Sequence, residues 1–535
     1  MNDRANNQTT FALTTPLYYV NDVPHIGSAY TTMVADAIAR WKRLKGESVL
    51  FITGTDEHGQ KIQRAAEAKG LDAQTHCDRI VASFQDLWDK LNIQYDRFSR
   101  TTNARHAEIV KEFFQRVWDR GDIYLDRQKG WYCVACEEFK EERELVNDGY
   151  CSIHTNLKAE WRDEENYFFR LSKYQEKLEQ LYQEKPEFIQ PESRRKEVLN
   201  FVQQGLQDFS ISRVNVEWGF AIPVDPSHTI YVWFDALLGY VTALLDTDSE
   251  ATLGNALSKW WPINLHLIGK DILRFHAIYW PAMLFSAEIS LPEKVFAHGF
   301  LTKDGQKMGK SLGNTLDPFA LIERYGSDAV RYYFLKEIEL GRDGDFNETR
   351  FINILNADLA NDLGNLVNRT LGMIQKYCQG NGPQLTGAEI AEDNPLKAIG
   401  LDLTERVSKA CDALQFNLAC EEIFNLIRAS NKYIDRSAPW SLFKAGKQNE
   451  VEQILYSVLE SIRLSAYLLS PIVPNLSIDI YQQLGFSGEF NNKTFVKEAD
   501  LWDKHSQWGH LKANQNLDKA KPIFLRLELP SNDQS

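Results

Sequence analysis

Met33, Ala37, Ile38, Trp41 and Leu44 recur at helical spacing and predict an amphipathic helix over about 28–45, with Gly46 at its C-terminal cap. A strand over 9–15 precedes it. After it, the apolar run Val49-Leu50-Phe51-Ile52-Thr53 reads as a buried strand. That strand ends at Gly54-Thr55-Asp56-Glu57-His58-Gly59, and a second helix follows, closing at Lys69-Gly70. Strand, loop, helix, repeated once, is the opening of an α/β doubly wound (Rossmann-type) nucleotide-binding sheet.

The pattern changes between about 120 and 225 to short strands, aromatic residues and a Cys/His cluster, with a helical stretch near 174–184. This predicts an insertion that splits the sheet. The sheet is expected to resume with Thr229-Ile230-Tyr231-Val232-Trp233-Phe234-Asp235 and with Leu265-His266-Leu267-Ile268-Gly269, where a helix begins at Lys270-Asp271. From about 350 to 480 the period is almost wholly helical, with a break at Gly380-Asn381-Gly382-Pro383 and with Pro471 and Pro474 in the last helices. The run from Lys521 to Leu527 reads as a segment docking back on the body, followed by a polar tail. The expected division is a first sheet half (1–120), an insertion with a zinc knuckle (121–225, knuckle 133–154), a second sheet half (226–295), a loop and stem-contact region (296–350), an all-α bundle (351–520) and a tail (521–535).

Composition narrows the function classes. With 535 residues, 43% of them hydrophobic, the chain can bury several cores. Its start lacks the basic and apolar runs of a signal peptide, and no apolar stretch is long enough for a membrane span. A cytoplasmic protein without a membrane partner is expected. The formal net charge of −14 argues against indiscriminate polyanion binding, although a local basic groove would still take nucleic acid. Seven cysteines do not form a disulfide framework, and Cys77, Cys378, Cys411 and Cys420 read as plain buried residues.

Two short motifs carry phosphate chemistry. Pro24-His25-Ile26-Gly27-Ser28 places an imidazole and a Gly turn where a strand gives way to a helix, so ring and backbone N–H groups can meet phosphate oxygens. Lys307-Met308-Gly309-Lys310-Ser311 puts two lysines on a Gly-hinged loop that can swing point charges onto a polyphosphate. A sheet holding His25 at one strand end and Asp271 at another can cradle a nucleotide, with Mg²⁺ and Lys307 and Lys310 on its β- and γ-phosphates. The blander role for Asp271 is an acid favoured by a helix N-terminus. No nucleophilic side chain accompanies these groups, and none is needed if the substrate's own carboxylate attacks the α-phosphate.

Cys133-x2-Cys136-x14-Cys151-x2-His154 has the spacing of a closed Cys₃His zinc site, hence a structural one. A redox Cys-x-x-Cys would need a thioredoxin-type helix start, which is absent. The aromatic group Tyr19, Trp233, Tyr240 and Trp280, with His276, suits a core as well as a ligand pocket. Asp56 can face a substrate ammonium or cap the helix that follows it.

On these motifs, together with Tyr231-Val232-Trp233-Phe234-Asp235-Ala236, Gly269-Lys270-Asp271-Ile272 and Gly344-Asp345-Phe346, the chain resembles the bacterial methionyl-tRNA synthetases, a class I aminoacyl-tRNA synthetase family, along essentially its whole length. The resemblance implies ligation of methionine to tRNA(Met), the initiator included, through a methionyl-adenylate. It implies that Leu17, Tyr19, Asp56, Trp233, Tyr240, His276 and Trp280 surround methionine, that His25, Ser28, Gly269, Asp271 and Lys310 contact ATP, and that Lys307 assists. It further implies that Asn365, Arg369 and Trp440 read the anticodon. The single Cys₃His set resembles the one-zinc subtype, and the end of the chain near Phe524 resembles members without an appended tRNA-binding domain, which favours a monomer. Ser28 stands where the family usually has His, Gly309 where it usually has Ser, and Leu237 where some members have Pro. The rivals are a sister synthetase, a small-molecule nucleotidyltransferase with the same His turn, and a catalytically dead tRNA-binding relative. The last would be expected to lack His25, Asp56 or Lys310.

Overall fold

A computed structural model of the chain describes residues 9–134, 137–140, 142–152, 157–214, 216–308, 313–490 and 501–529. Cys136, His154, Gly309, Lys310 and Ser311 lie outside the described residues.

Six parallel strands form the central sheet: β1 (Thr10–Tyr19), β2 (Ser48–Asp56), β3 (Arg97–Arg100), β4 (Ile189–Gln190), β5 (Leu265–Gly269) and β6 (Val295–His298). Their order is β3-β2-β1-β5-β6-β4. The strand order reverses between β1 and β5, which makes the carboxyl ends of those two strands the place where a doubly wound sheet opens a crevice. β1 continues past the expected 9–15. Pro16 cannot donate to a ladder, so the pairing with β2 shifts register between Thr14 and Leu17, resumes with Leu17 opposite Gly54 and ends with Tyr19 opposite Asp56.

α1 (Ile26–Leu44) starts two residues before its expected position because His25 and Ser28 close a capping box at its N-terminus. At the other end Lys42 and Arg43 occupy the last turn, and Gly46 takes φ +86°, a left-handed value that favours glycine.

The run 229–235 does not rejoin the sheet. Asp225–Ile230 pairs antiparallel with Ser212–Arg213 and Ala221–Ile222 in a separate small sheet, and Val232–Ala236 is a short helix. A continuous buried apolar run carries no period that separates strand from helix, and its aromatic and β-branched content favours the wrong choice. The insertion itself is a long antiparallel ribbon of Ile123–Cys133 against Glu160–Phe169. β4 lies within it in sequence yet pairs with β6 at the edge of the central sheet. β6 likewise extends to residue 298, past the expected boundary at 295.

Helices fill 348–377 and 395–483 with short connections, and Gln448–Leu469 is buried along most of its length. One continuous apolar core joins the central sheet to this helical region. Across the junction, Asp36 of α1 takes Arg40 at 2.6 Å and Arg331 at 2.7 Å, all three buried. Arg331 also donates to the carbonyls of Pro471 and Ile472 at 2.8 and 3.0 Å, so the buried charges are fully partnered. The terminal segment docks back through Asn356, which exchanges hydrogen bonds of 2.8 and 2.9 Å with the Leu527 backbone.

Candidate active site

A cleft of about 420 Å³ opens at the carboxyl ends of β1 and β5. Leu17, Tyr18 and Tyr19 of β1 form one side, and Gly269, Asp271 and 298–301 form the other. His25 stands at the mouth as the cap of α1. Its Nδ1 accepts from the Gly27 and Ser28 N–H groups at 3.0 and 3.3 Å, which leaves Nε2 to carry the proton of the neutral ring. The Ser28 hydroxyl is used locally, accepting from His25 N–H at 3.1 Å and donating to His25 C=O at 2.7 Å. Ser28 replaces the family's usual His without leaving the cap open.

On the far side Gly269 has an ordinary φ, and its missing side chain leaves room for the Asp271 carboxylate. A Cβ there would come 2.5 Å from Asp271 Oδ1. Asp271 sits in a 3₁₀ turn (Lys270–Ile272) where a regular helix start was expected; a π turn (Phe275–Tyr279) and then a helix follow. Both residues line the cleft.

The residues implied for methionine fall into two layers. Leu17, Tyr19 and Trp233 line the cleft. Tyr19 meets the edge of Trp233 at 6.1 Å, and Trp233 stacks on Phe275 at 3.8 Å. Behind them Asp56, Tyr240, His276 and Trp280 are buried. Asp56 Oδ1 has no hydrogen-bond partner among the described residues. Burial first, then the charges of Asp235 and Glu137, push its pKa well above the usual carboxylate range. A buried carboxylate oxygen without a donor is costly, and a cation bound against it would offset that cost. His276 is held down to about 4 by burial, which makes it a neutral partner for Tyr240.

The structure adds residues that the sequence did not single out. His298, at the end of β6, lines the cleft, meets Thr31 Oγ1 at 2.7 Å through Nε2 and donates from Nδ1 to Gly299 C=O at 2.8 Å. Lys61 lines it too, with its ammonium 4.9 Å from the Tyr19 ring centre. Position alone marks both: a His at a strand end and a Lys in the first turn of a helix are common surface features.

Lys307 is exposed and outside the cleft, on a hairpin whose other strand, Leu301–Lys303, begins at the cleft rim. Asp304 and Gly305 turn it with φ of +52° and +74°, the left-handed pair that a tight hairpin requires. Lys310, three residues on, lies outside the described residues. Cys133 ends the long ribbon strand and Cys151 ends the short strand Tyr150–Cys151, both buried. No metal cluster is formed among the described residues, and Cys136 and His154 are not among them. In the helical region Arg369 pairs with Asp435 at 2.7 Å, Trp440 is 39% exposed, and Asn365 lines a separate polar hollow with Asn361 and Asn368.

Comparison with known proteins agrees with this geometry. Residues 11–155 and 144–371 match the family model "tRNA synthetases class I (M)", and residues 402–524 match "Anticodon-binding domain of tRNA ligase". A methionine–tRNA ligase of Synechocystis is 71% identical over 98% of this chain and 99% of its own. The chloroplastic/mitochondrial methionine–tRNA ligase of Arabidopsis thaliana is 51% identical over 97% of this chain and 83% of its own. Among solved structures, Mycobacterium tuberculosis methionyl-tRNA synthetase in complex with methionyl-adenylate superposes with a TM-score of 0.89 at 40% identity, covering 97% of this chain and 100% of that one. The cleft at the sheet's switch point, its helix-capping histidine and these matches lead to one conclusion: the chain belongs to the methionine–tRNA ligases, within the class I tRNA synthetases.

Proposed function

We propose that the chain joins methionine to tRNA(Met), initiator tRNA included, in two steps. The methionine carboxylate attacks the α-phosphate of ATP, forming methionyl-adenylate as pyrophosphate leaves. A ribose hydroxyl of the tRNA's terminal adenosine then attacks the methionyl carbonyl, and AMP leaves. The observation that carries the reading is Asp56: a buried carboxylate oxygen without a donor, beside an aromatic wall and a nucleotide-sized cleft. An ammonium supplies the missing donor and charge, and polarisable sulfur packs well against Tyr19 and Trp233.

His25 directs its Nε2 proton at the phosphates, with Gly269 and Asp271 on the nucleotide side and Ser28 holding the imidazole in place. Lys307 and Lys310, with the Mg²⁺ of Mg-ATP, offset the charge that develops on the leaving pyrophosphate. No nucleophilic side chain is needed, because alignment and charge stabilisation suffice.

Cys133, Cys136, Cys151 and His154 are the ligands of a structural zinc ion in this reading. Cys151 ends a strand of only two residues and Cys133 lies at the tip of the long ribbon strand, in a part of the insertion where a metal would supply a cross-link. Asn365, Arg369 and Trp440 take the anticodon, with Trp440 as the stacking surface. The working enzyme is read as a cytoplasmic monomer, which sedimentation checks, and no described helix is long and apolar enough to cross a membrane.

The test is charging of tRNA(Met) with labelled methionine. Trp440→Ala is expected to lower charging by roughly 10- to 100-fold, the size of one lost base stack, while leaving tRNA-free adenylate formation intact. Equal loss in both assays would remove Trp440 from the anticodon.

A further inference from the structure

Outside the cleft, one carboxylate is shared by two histidines from distant segments. Asp235 Oδ2 lies 2.6 Å from His58 Nδ1, and Oδ1 lies 2.6 Å from His106 Nε2. The carboxylate is buried to 1% exposure, and His106 is fixed in turn by the Thr242 hydroxyl at 2.7 Å. Burial alone would raise the Asp235 pKa. The two facing imidazoles reverse this and hold it down to about 2.

None of the three lines the cleft, but each is tied to something that bounds the amino-acid site. His58 stands two residues after Asp56, in the loop between β2 and the helix Gln60–Glu67. Asp235 stands two residues after Trp233, in the short helix Val232–Ala236. That helix belongs to no sheet, and the strand neighbours of β2 are β1 and β3. The Asp235–His58 bond therefore links the backbone that carries the ammonium partner directly to the backbone that carries the aromatic wall. His106 anchors the link to a third element, the helix Ala104–Asp119.

We infer that Asp235 is a positioning residue that fixes the separation of Asp56 from Trp233, and so sets the side-chain length the amino-acid pocket accepts. The inference rests on the reading of Asp56 and Trp233 as methionine contacts. An apolar pocket discriminates one methylene by roughly 10- to 200-fold, so a small change in the spacing of its ends is visible in that ratio. An amide at position 235 keeps the shape but loses the charge that strengthens both histidine bonds.

The experiment measures amino-acid-dependent pyrophosphate exchange for methionine, for ethionine (one methylene longer) and for S-methylcysteine (one shorter), in the full chain and in Asp235→Asn. The expected result is a methionine KM raised roughly 10-fold with kcat within about 3-fold, an unchanged ATP KM, and a methionine-to-ethionine ratio of kcat/KM lowered at least about 5-fold. An unchanged ratio, or methionine and ATP constants drifting together, overturns the inference, because general loosening does that. If Asp235→Asn does not fold, His106→Gln and His58→Gln read the same ratio with the same expected direction. Failure of the unaltered chain to activate methionine would instead overturn the functional reading beneath it.

Discussion

The Tyr240 hydroxyl lies 2.8 Å from His276 Nε2 while His276 Nδ1 donates to the Ile272 carbonyl at 3.0 Å, an arrangement in which the neutral ring accepts from the hydroxyl at Nε2. Burial enforces this by lowering its pKa from 6.5 to about 4. The unfolded chain therefore binds a proton at this residue that the folded chain refuses between about pH 6.5 and 4. The stability is fully present above pH 6.5 and is lost as pH falls toward 4, by about 3 kcal/mol. Thermal midpoints at pH 7 and pH 4.5 should fall further apart in the unaltered chain than in His276→Asn. An equal pH dependence in both proteins would contradict a neutral, buried His276.

Asp56 gives the sharpest substrate-specific effect. Asp56→Asn keeps the shape but removes the charge facing the ammonium, so kcat/KM for methionine should fall roughly 100-fold in pyrophosphate exchange. The ATP KM should stay within about twofold. Because burial raises its pKa, the methionine KM of the unaltered chain should also climb on acidification, and at a higher pH than an ordinary carboxylate would give. A variant that weakened ATP as much as methionine would place Asp56 elsewhere.

Gly269→Ala acts on the other substrate. The added Cβ would crowd Asp271 Oδ1 at 2.5 Å and turn that carboxylate out of its place in the cleft. The ATP KM should rise roughly 10-fold, with the methionine KM little changed, when each is varied against saturating partner. An unaltered ATP KM would mean that Asp271 does not hold the nucleotide.

Elemental analysis of the purified chain should find zinc bound at close to one equivalent. Cys133→Ser and Cys151→Ser should each lose it and lower the thermal midpoint, because a closed metal shell supplies folding energy directly. Full zinc retention in either variant would take that cysteine out of the ligand set.

The helical region is legible from period alone, because 350–480 holds one helical period, whereas β1, β2 and β5 are legible as apolar runs bounded by turns and the short edge strands β3 and β4 carry no such signal. The run Tyr231 to Ala236 is not legible, since five of its six positions are buried and the sixth, Trp233, is a half-buried aromatic, which leaves no exposed polar face to set a period. Of the site, His25, Gly269 and Asp271 are visible because their chemistry is packed into single short motifs. His298 and the His58–Asp235–His106 link escape because their partners come from segments more than a hundred residues apart, and lone histidines carry no local signal.

The most direct measurement is exchange of labelled pyrophosphate into ATP, run without tRNA against each of the twenty amino acids. Exchange with methionine alone is the expected result and joins adenylate formation to the pocket's selectivity. Exchange with a different amino acid, or with none in zinc- and magnesium-replete protein, would contradict it.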